Sequence, residues 1–251
     1  MQSLLTTYLV CVILIQTEGI THMANPYDDK DYSALYENRY NESLWSGDTI
    51  FELRTIEKHN GKLWCDVACG TGYHLSHAIG NFERTGIDLS ETMTSYCKDN
   101  RVSMINGDVL TWDTTDRFDL VTNFWLGYSH QKSLYRVLKF FDKMIDITKT
   151  GGNIIVAIFN GDGKFFNLPY RHTAGAGGDF KFESVQWSYT EHDRPELSYT
   201  CICPHPELVL EKFIPHFENY KIFNRTNSEY GIKSDGTGSG KELMIFENKI
   251  G

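Results

Sequence analysis

The sequence predicts an α/β fold, a mostly parallel sheet with helices on both faces. Three observations predict it. Between Leu63 and Phe159, short apolar runs alternate with helix-period stretches, the pattern of strand–helix–strand units. The first run, Lys62-Leu-Trp-Cys-Asp-Val67, breaks into a glycine-rich turn, Ala68-Cys-Gly-Thr-Gly72, and then a helix-like stretch. The 251 residues are 41% hydrophobic, enough for one substantial core. Right-handed crossovers then bring the strand C-termini to one edge, where such sheets bind ligands.

The elements follow in chain order. Residues 1–22 read as a leader, either vector-derived or from a misassigned start. His22-Met23 fits a cloning junction, and Met23-Ala-Asn-Pro26 looks like a natural beginning. A signal-like segment is an alternative, although no Lys or Arg precedes the apolar run Leu4 to Ile15. A native N-terminal element is the other. Residues 23–60 read as a helical cap. Asp28 to Tyr40 places Tyr32, Leu35, Tyr36 and Tyr40 on one helical face. Asp48 to His59 is a second helix, with Ile50, Phe51, Leu53 and Ile56 inward.

Residues 61–251 form the main domain. After the first strand and turn, His74 to Ile79 opens a crossover helix, and Asp88 ends the second strand. Ser90 suits the N-cap of the next helix. Ser129 or Ser133 caps a helix through Ile147, whose apolar face includes Val137, Phe141 and Met144. Asn160 to Gly178 reads as a loop. Phe180 to Thr190 and Leu197 to Cys203, turning at His192 to Pro195, read as a hairpin lid inserted at about 160–205. Pro206 to Phe217 looks helical, and Tyr220 to Arg225 and Leu243 to Asn248 close the sheet.

The glycine turn excludes two common ligands. A P-loop has Lys-Ser or Lys-Thr after its last glycine, and here Tyr73-His74 follows. A dinucleotide fingerprint needs a third glycine, which is missing. The turn Asp66-Val-Ala-Cys-Gly-Thr-Gly72 instead resembles the first motif of the class I S-adenosylmethionine (AdoMet)-dependent methyltransferases. The resemblance continues through Ile87-Asp-Leu-Ser90, Asn106-Gly-Asp-Val109, the strand Arg117 to Trp125, and the turn Thr150-Gly-Gly152 before Asn153 to Phe159. A finer resemblance rests on Asp66 to Gly72, His74-Leu75, Gly86 to Met93 and Ser239-Gly-Lys241. It is to the N-methyltransferases of nucleotide-linked amino sugars and related small-molecule methyltransferases.

The resemblance implies a three-layer Rossmann-like fold. Its seven-stranded sheet has order 3-2-1-4-5-7-6, with the last strand antiparallel. It implies AdoMet as cofactor. Asp66, Ala68, Gly70 and Gly72 would surround the methionine part, and Asp88 the ribose. Leu89 and Met93 would flank the adenine, Asp108 and Val109 would meet its edge, and Asn123 the methionyl end. Ala68 stands where many relatives have glycine.

Methyl transfer from a sulfonium is an in-line displacement, so the protein supplies alignment, a dry pocket and a neutral nucleophile. His130 is the first candidate base, because an ordinary imidazole exchanges protons near neutral pH. Tyr128 is the second catalytic candidate. Tyr32, Tyr36, Trp125, His172 and Glu191 are candidates for the acceptor site. The expected reaction is N-methylation of a small polar acceptor such as an amino sugar. O-methylation of a hydroxylated metabolite, and an AdoMet-binding lyase, cyclase or regulatory module, are the alternatives.

The net charge of −9 argues against a nucleic-acid partner, which needs Lys and Arg on phosphates. The expected partner is a small-molecule acceptor, with no nucleic acid, no membrane, and a monomer or homodimer. The cysteines form no disulfide framework, which fits a cytoplasmic setting. Cys201-Ile-Cys203-Pro-His205 lacks a fourth ligand at zinc spacing, so it reads as a strand and no metal is expected.

Overall fold

The computed structural model describes residues 26–43, 47–161, 170–174, 178–190, 198–232 and 238–251; residues 1–22 lie outside them. Five strands come first: β1 (Leu63–Val67), β2 (Glu83–Asp88), β3 (Val102–Asn106), β4 (Phe118–Asn123) and β5 (Thr148–Phe159). Two hairpins follow. The first pairs β6 (Arg171–Ala174) with β7 (Gly178–Lys181), and the second pairs β8 (Ser184–Thr190) with β9 (Ser198–Pro204). The chain then returns to the main sheet as β10 (Phe217–Phe223) and β11 (Lys241–Lys249).

The main sheet has seven strands in the order 3-2-1-4-5-11-10. Pairs among β1 to β5 are parallel, and β11 is antiparallel to both β5 and β10. Counting main-sheet strands alone, this is the predicted order 3-2-1-4-5-7-6.

Strands buried on both faces explain the unbroken apolar runs. In β5, Ile154, Val156 and Ile158 join one core layer and Ile155 and Ala157 the other, the period of two that a strand dictates. β11 repeats this, with Met244 and Phe246 on one side and Leu243 and Ile245 on the other. Helix α5 (Leu134–Ile147) covers the first layer with Val137, Phe140, Phe141 and Met144. Helix α6 (Pro206–Phe213) adds Val209 and Phe213. The second layer lies under Ile56, Leu75 and Tyr230.

Local chemistry sets the helix ends. Ser133 Oγ accepts from Arg136 N at 3.3 Å and caps α5. Ser129 is buried in the 3-10 turn Gly127–His130 instead. Ser90 caps α4 (Glu91–Thr94), accepting from Met93 N at 3.2 Å. The first crossover helix, α3 (Tyr73–His77), stops before the expected Ile79. The predicted helix through Phe217 ends at Phe213. A 3-10 turn, Ile214–His216, follows, because Pro215 has no N–H to continue the ladder.

Three expectations are corrected. Helix α1 spans Lys30–Ser43 and α2 spans Gly47–Ile56, but the inward face of α2 is largely polar. Asp48 and Glu52 are buried alongside Ile56. Glu52 accepts from Tyr230 Oη at 2.7 Å and meets His74 Nε2 at 2.8 Å, and Asp48 accepts from Gly231 N at 2.7 Å. Partnered polar groups can be buried where lone ones cannot. Next, the segment read as a loop before residue 178 contains β6, so Phe180 belongs to a separate small hairpin. The lid hairpin is β8–β9, and its expected turn at His192 lies outside the described residues. Finally, the closing strands begin earlier than expected, at Phe217 and Lys241. Among the described residues no helix is long and apolar enough to cross a membrane.

Candidate active site

The loop after β1 alternates left-handed positions: Ala68 at φ 53°, Gly70 at 56° and Gly72 at 73°. Glycine reaches these angles freely. Alanine does so at a cost of about 1–2 kcal/mol, which explains why glycine is common at this position in the family that the sequence resembles. The loop turns back on β2, and Gly70 N donates to Asp88 Oδ2 at 2.8 Å. Asp88 Oδ1 accepts from Ser90 N at 2.9 Å. Both oxygens are thereby fixed, and the carboxylate retains acceptor capacity for a ligand. Burial pushes the Asp88 carboxyl up, and the N–H groups of Ser90 and Gly70 pull it down.

Asp88 opens onto a cavity of about 310 Å³, large enough for a nucleoside-sized group. Ala68, Leu89, Val109 and Phe140 give it apolar walls, and Asp108 faces it from the loop after β3. Leu89 is 64% exposed, an apolar surface that a flat base would cover. Gln131, Lys132 and Arg136 line the side nearer α5.

Two buried acceptors near the glycine loop also fit the expected cofactor. Glu37 Oε2 and Thr71 Oγ1 find no hydrogen-bond partner among the described residues. Glu37 lies close enough to Tyr73 that, after burial, its charge helps push the phenol up to about 12. An ammonium group is all donors, the kind of group that a carboxylate or a hydroxyl oxygen accepts from.

Asp66 lies beneath the loop, 2% exposed. It accepts from Thr122 Oγ1 at 2.6 Å, and Thr122 accepts from the Trp64 indole at 2.9 Å. Burial pushes its carboxyl up to about 7, opposed by His74 and by the Thr122 hydroxyl. His74 is itself buried, held by Glu52 and stacked on Phe124 at 4.3 Å.

His130 also lines the cavity and stands inside a cluster of tyrosines. Its Nε2 is 3.2 Å from Tyr27 Oη. Its ring meets Tyr199 edge-on at 5.0 Å and Tyr27 at 5.2 Å. Tyr27 also packs against Tyr32 at 5.5 Å and Tyr36 at 5.6 Å. Burial pushes the imidazole down from 6.5 to about 4, so His130 is neutral at pH 7. The ordinary imidazole value expected for it does not apply.

The structure gathers Ala68, Asp88, Leu89, Asp108, Val109 and His130 around one cavity. Gly70 and Gly72 shape its loop. Tyr32 and Tyr36 stand in the aromatic cluster, and the side chain of Tyr32 is 1% exposed. Tyr128 is corrected: it is wholly buried, packs on Phe141 at 5.1 Å and takes Phe159 N–H at 3.3 Å. Asn123 is a clasp, donating to Val67 O at 2.6 Å and accepting from Tyr128 N at 3.4 Å. Met93 is buried, its Cε beneath Gly70, and does not line the cavity. Trp125 sits apart at φ 55°, with Lys241 Nζ 4.3 Å above its ring. His172 falls in β6, but its side chain lies outside the described residues, as does Glu191. Sequence reasoning missed Glu37, Gln131, Lys132, Arg136 and Tyr199. Arg136 alone left a trace, as a cation beside the apolar stripe of α5.

Residues 65–152 match the family model described as a methyltransferase domain. No curated protein matches the chain. Among solved structures, the chain is similar to CalS10, an amino pentose methyltransferase from Micromonospora echinaspora. Identity is 15%, coverage is 84% of this chain and 96% of that one, and the TM-score is 0.56. DesVI from Streptomyces venezuelae is similar at 16% identity, covering 86% and 96% with a TM-score of 0.55. The sugar N-methyltransferase KedS8 from Streptoalloteichus sp. has 16% identity, coverage of 86% and 93%, and a TM-score of 0.55. At these identities the structural likeness speaks for the fold. Residues 65–152 thus match a methyltransferase domain, and the chain has the Rossmann-like fold that these solved methyltransferases share.

Proposed function

We propose that this protein transfers a methyl group from AdoMet to an amine nitrogen of a small polar acceptor, such as an amino sugar. The observation that carries the reading is one cavity lined both by carboxylates at the strand tips and by a histidine set in an aromatic cluster. Asp88 and Asp108 line it, and so does His130, which is tied to Tyr27 within a tyrosine cluster. When bound, AdoMet supplies the electrophilic methyl, and the displaced sulfur leaves as S-adenosylhomocysteine.

On the donor side, Asp88 accepts from the two ribose hydroxyls. Leu89, Ala68 and Phe140 sandwich the base, while Asp108 and Val109 meet its edge. Asp66, Gly70 and Gly72 shape the loop around the methionine part, and Glu37 and Thr71 receive its ammonium.

On the acceptor side, the attacking nitrogen must be neutral. The burial that holds His130 near 4 disfavours any cation there, so an amine binds as the free base, its proton having been left to bulk water. Tyr27 Oη lies 3.2 Å from His130 Nε2 and holds the imidazole against the cavity, where its ring can orient the amine. A hydroxyl acceptor would need a stronger base than an imidazole near 4, and this favours nitrogen over oxygen. The structures this chain resembles include an amino pentose methyltransferase and a sugar N-methyltransferase, which supports the same acceptor class. Helix α1 brings Tyr32 and Tyr36 to the cluster, consistent with residues 23–60 acting as a cap on the 61–251 domain. Cys65, Cys69, Cys97, Cys201 and Cys203 are free thiols, which supports a reducing, cytoplasmic setting.

Calorimetric titration tests the reading. Wild type should bind AdoMet and S-adenosylhomocysteine, and Asp88→Ala should lose both. An acceptor screen with amino sugars and small amines then follows the added methyl by mass spectrometry. Binding by neither ligand would end the methyltransferase reading; binding with cleavage and no methylated product would point to a lyase.

A further inference from the structure

We propose that Arg136 is a specificity-determining positioning residue. It makes the cavity select a base carrying an exocyclic amine over one carrying an oxo group at the same place. The proposal rests on the AdoMet reading above.

Gln131, Arg136 and Asp108 form a chain of hydrogen bonds along the cavity wall. Arg136 Nε donates to Gln131 Oε1 at 3.1 Å, and Arg136 Nη2 donates to Asp108 Oδ2 at 3.0 Å. The other Asp108 oxygen accepts from Leu110 N at 2.9 Å. The carboxylate is thus pinned at both oxygens, by a guanidinium from α5 and by the backbone of its own loop. All three side chains line the cavity, and Phe140, one helical turn beyond Arg136, forms the wall beneath.

The chemistry follows from the pinning. An ionised carboxylate only accepts hydrogen bonds. Held in one orientation, it offers its remaining lone pairs to an amine and repels a carbonyl oxygen. A carboxylate free to turn away would still leave room for the amine but would no longer reject the oxo group. Arg136 acts through Asp108, and it needs its own orientation fixed by Gln131 to do so. A cation placed on the cavity wall merely for solubility would not need two directed bonds inside the site.

The probes are S-adenosylhomocysteine and S-inosylhomocysteine, titrated calorimetrically against the full chain. Wild type should prefer the adenine ligand by at least about tenfold, the scale of a hydrogen bond to a charged group. Arg136→Met should narrow that preference by about three- to tenfold, the scale of one partly exposed ion pair and its geometry. Arg136→Lys should restore part of it. Arg136 is 42% exposed, so the fold should tolerate the change, and a matching thermal melt checks this. An unchanged preference in Arg136→Met would overturn the proposal, whether both affinities fall together or neither moves. If wild type binds neither ligand, the AdoMet reading itself fails; if it binds both equally, only the selectivity proposal does.

Discussion

The two regions proposed above as the donor end and the acceptor end are built differently. The donor end comes from consecutive turns at the strand tips, with Ala68, Gly70, Asp88 and Asp108 all between residues 65 and 110. Backbone N–H groups hold the key carboxylate there. The acceptor end is assembled from Tyr27, Tyr32 and Tyr36 near one end of the chain, His130 at its middle, and Tyr199 from an inserted hairpin. Contact there runs through packed rings, with Tyr27 Oη 3.2 Å from His130 Nε2. The donor end is therefore stiff and specified by local chemistry. An aromatic cluster drawn from distant segments can vary a few rings without disturbing the strand-tip turns, which suits a fold that hosts many functions.

If that division is real, the largest effect falls on the donor end. Asp88→Ala should weaken AdoMet and S-adenosylhomocysteine by about 30- to 1000-fold, the scale of two hydrogen bonds to a charged group. Asp88→Asn, which keeps the shape, should lose less. A titration in which Asp88→Ala binds as tightly as wild type would remove the ribose role.

The two ends also titrate in opposite senses. The Asp66 carboxyl is raised to about 7, so its contribution to stability is full below pH 4 and is lost as pH rises toward 7. The shift corresponds to something on the order of 4 kcal/mol. The His130 imidazole is lowered to about 4, so its contribution is full above pH 6.5 and is lost as pH falls toward 4. The effects oppose each other across that window. Asp66→Asn should leave stability rising with pH from 4 to 6.5, and His130→Gln should leave it falling, as read by denaturant melts at several pH values. Parallel profiles for the two variants would contradict these assignments.

A smaller contrast separates the two tyrosines. Tyr128→Phe should cost about 1 kcal/mol of stability through the lost bond from Phe159 N and leave turnover unchanged. Tyr27→Phe should cost a similar amount through its lost bond to His130 but should also turn over more slowly. Slowed turnover in Tyr128→Phe would return Tyr128 to the site. The smallest effect is at Ala68. Its φ of 53° means that Ala68→Gly should stabilise by no more than about 1 kcal/mol, because relieved strain is partly offset by a freer unfolded chain. Marked destabilisation would show that the methyl packing outweighs the strain.

Much of this was legible in the sequence because it is local. Strand runs, the Ser90 cap and the glycine turn are decided within a few residues. What was misread depends on distance. Tyr128 looked like a pocket residue because it follows β4, but the 3-10 turn Gly127–His130 rotates it into the core while His130 faces the cavity. Met93 was placed beside the base by its motif, yet its side chain runs under Gly70. The polar face of α2 broke the apolar rule because Tyr230, 178 positions away, supplies a partner for Glu52.

By itself, then, the sequence determined the strand runs, the turn after β1 and the carboxylates at the strand tips, while the strand order was implied by the family resemblance. Hydrophobic period, glycine angles and crossover handedness act over short spans. Only the tertiary structure decided that His130 is neutral, that Arg136 holds Asp108, and that tyrosines from distant segments share one cluster. Burial and cross-chain hydrogen bonds are properties of the packed whole, and no local pattern of residues encodes them.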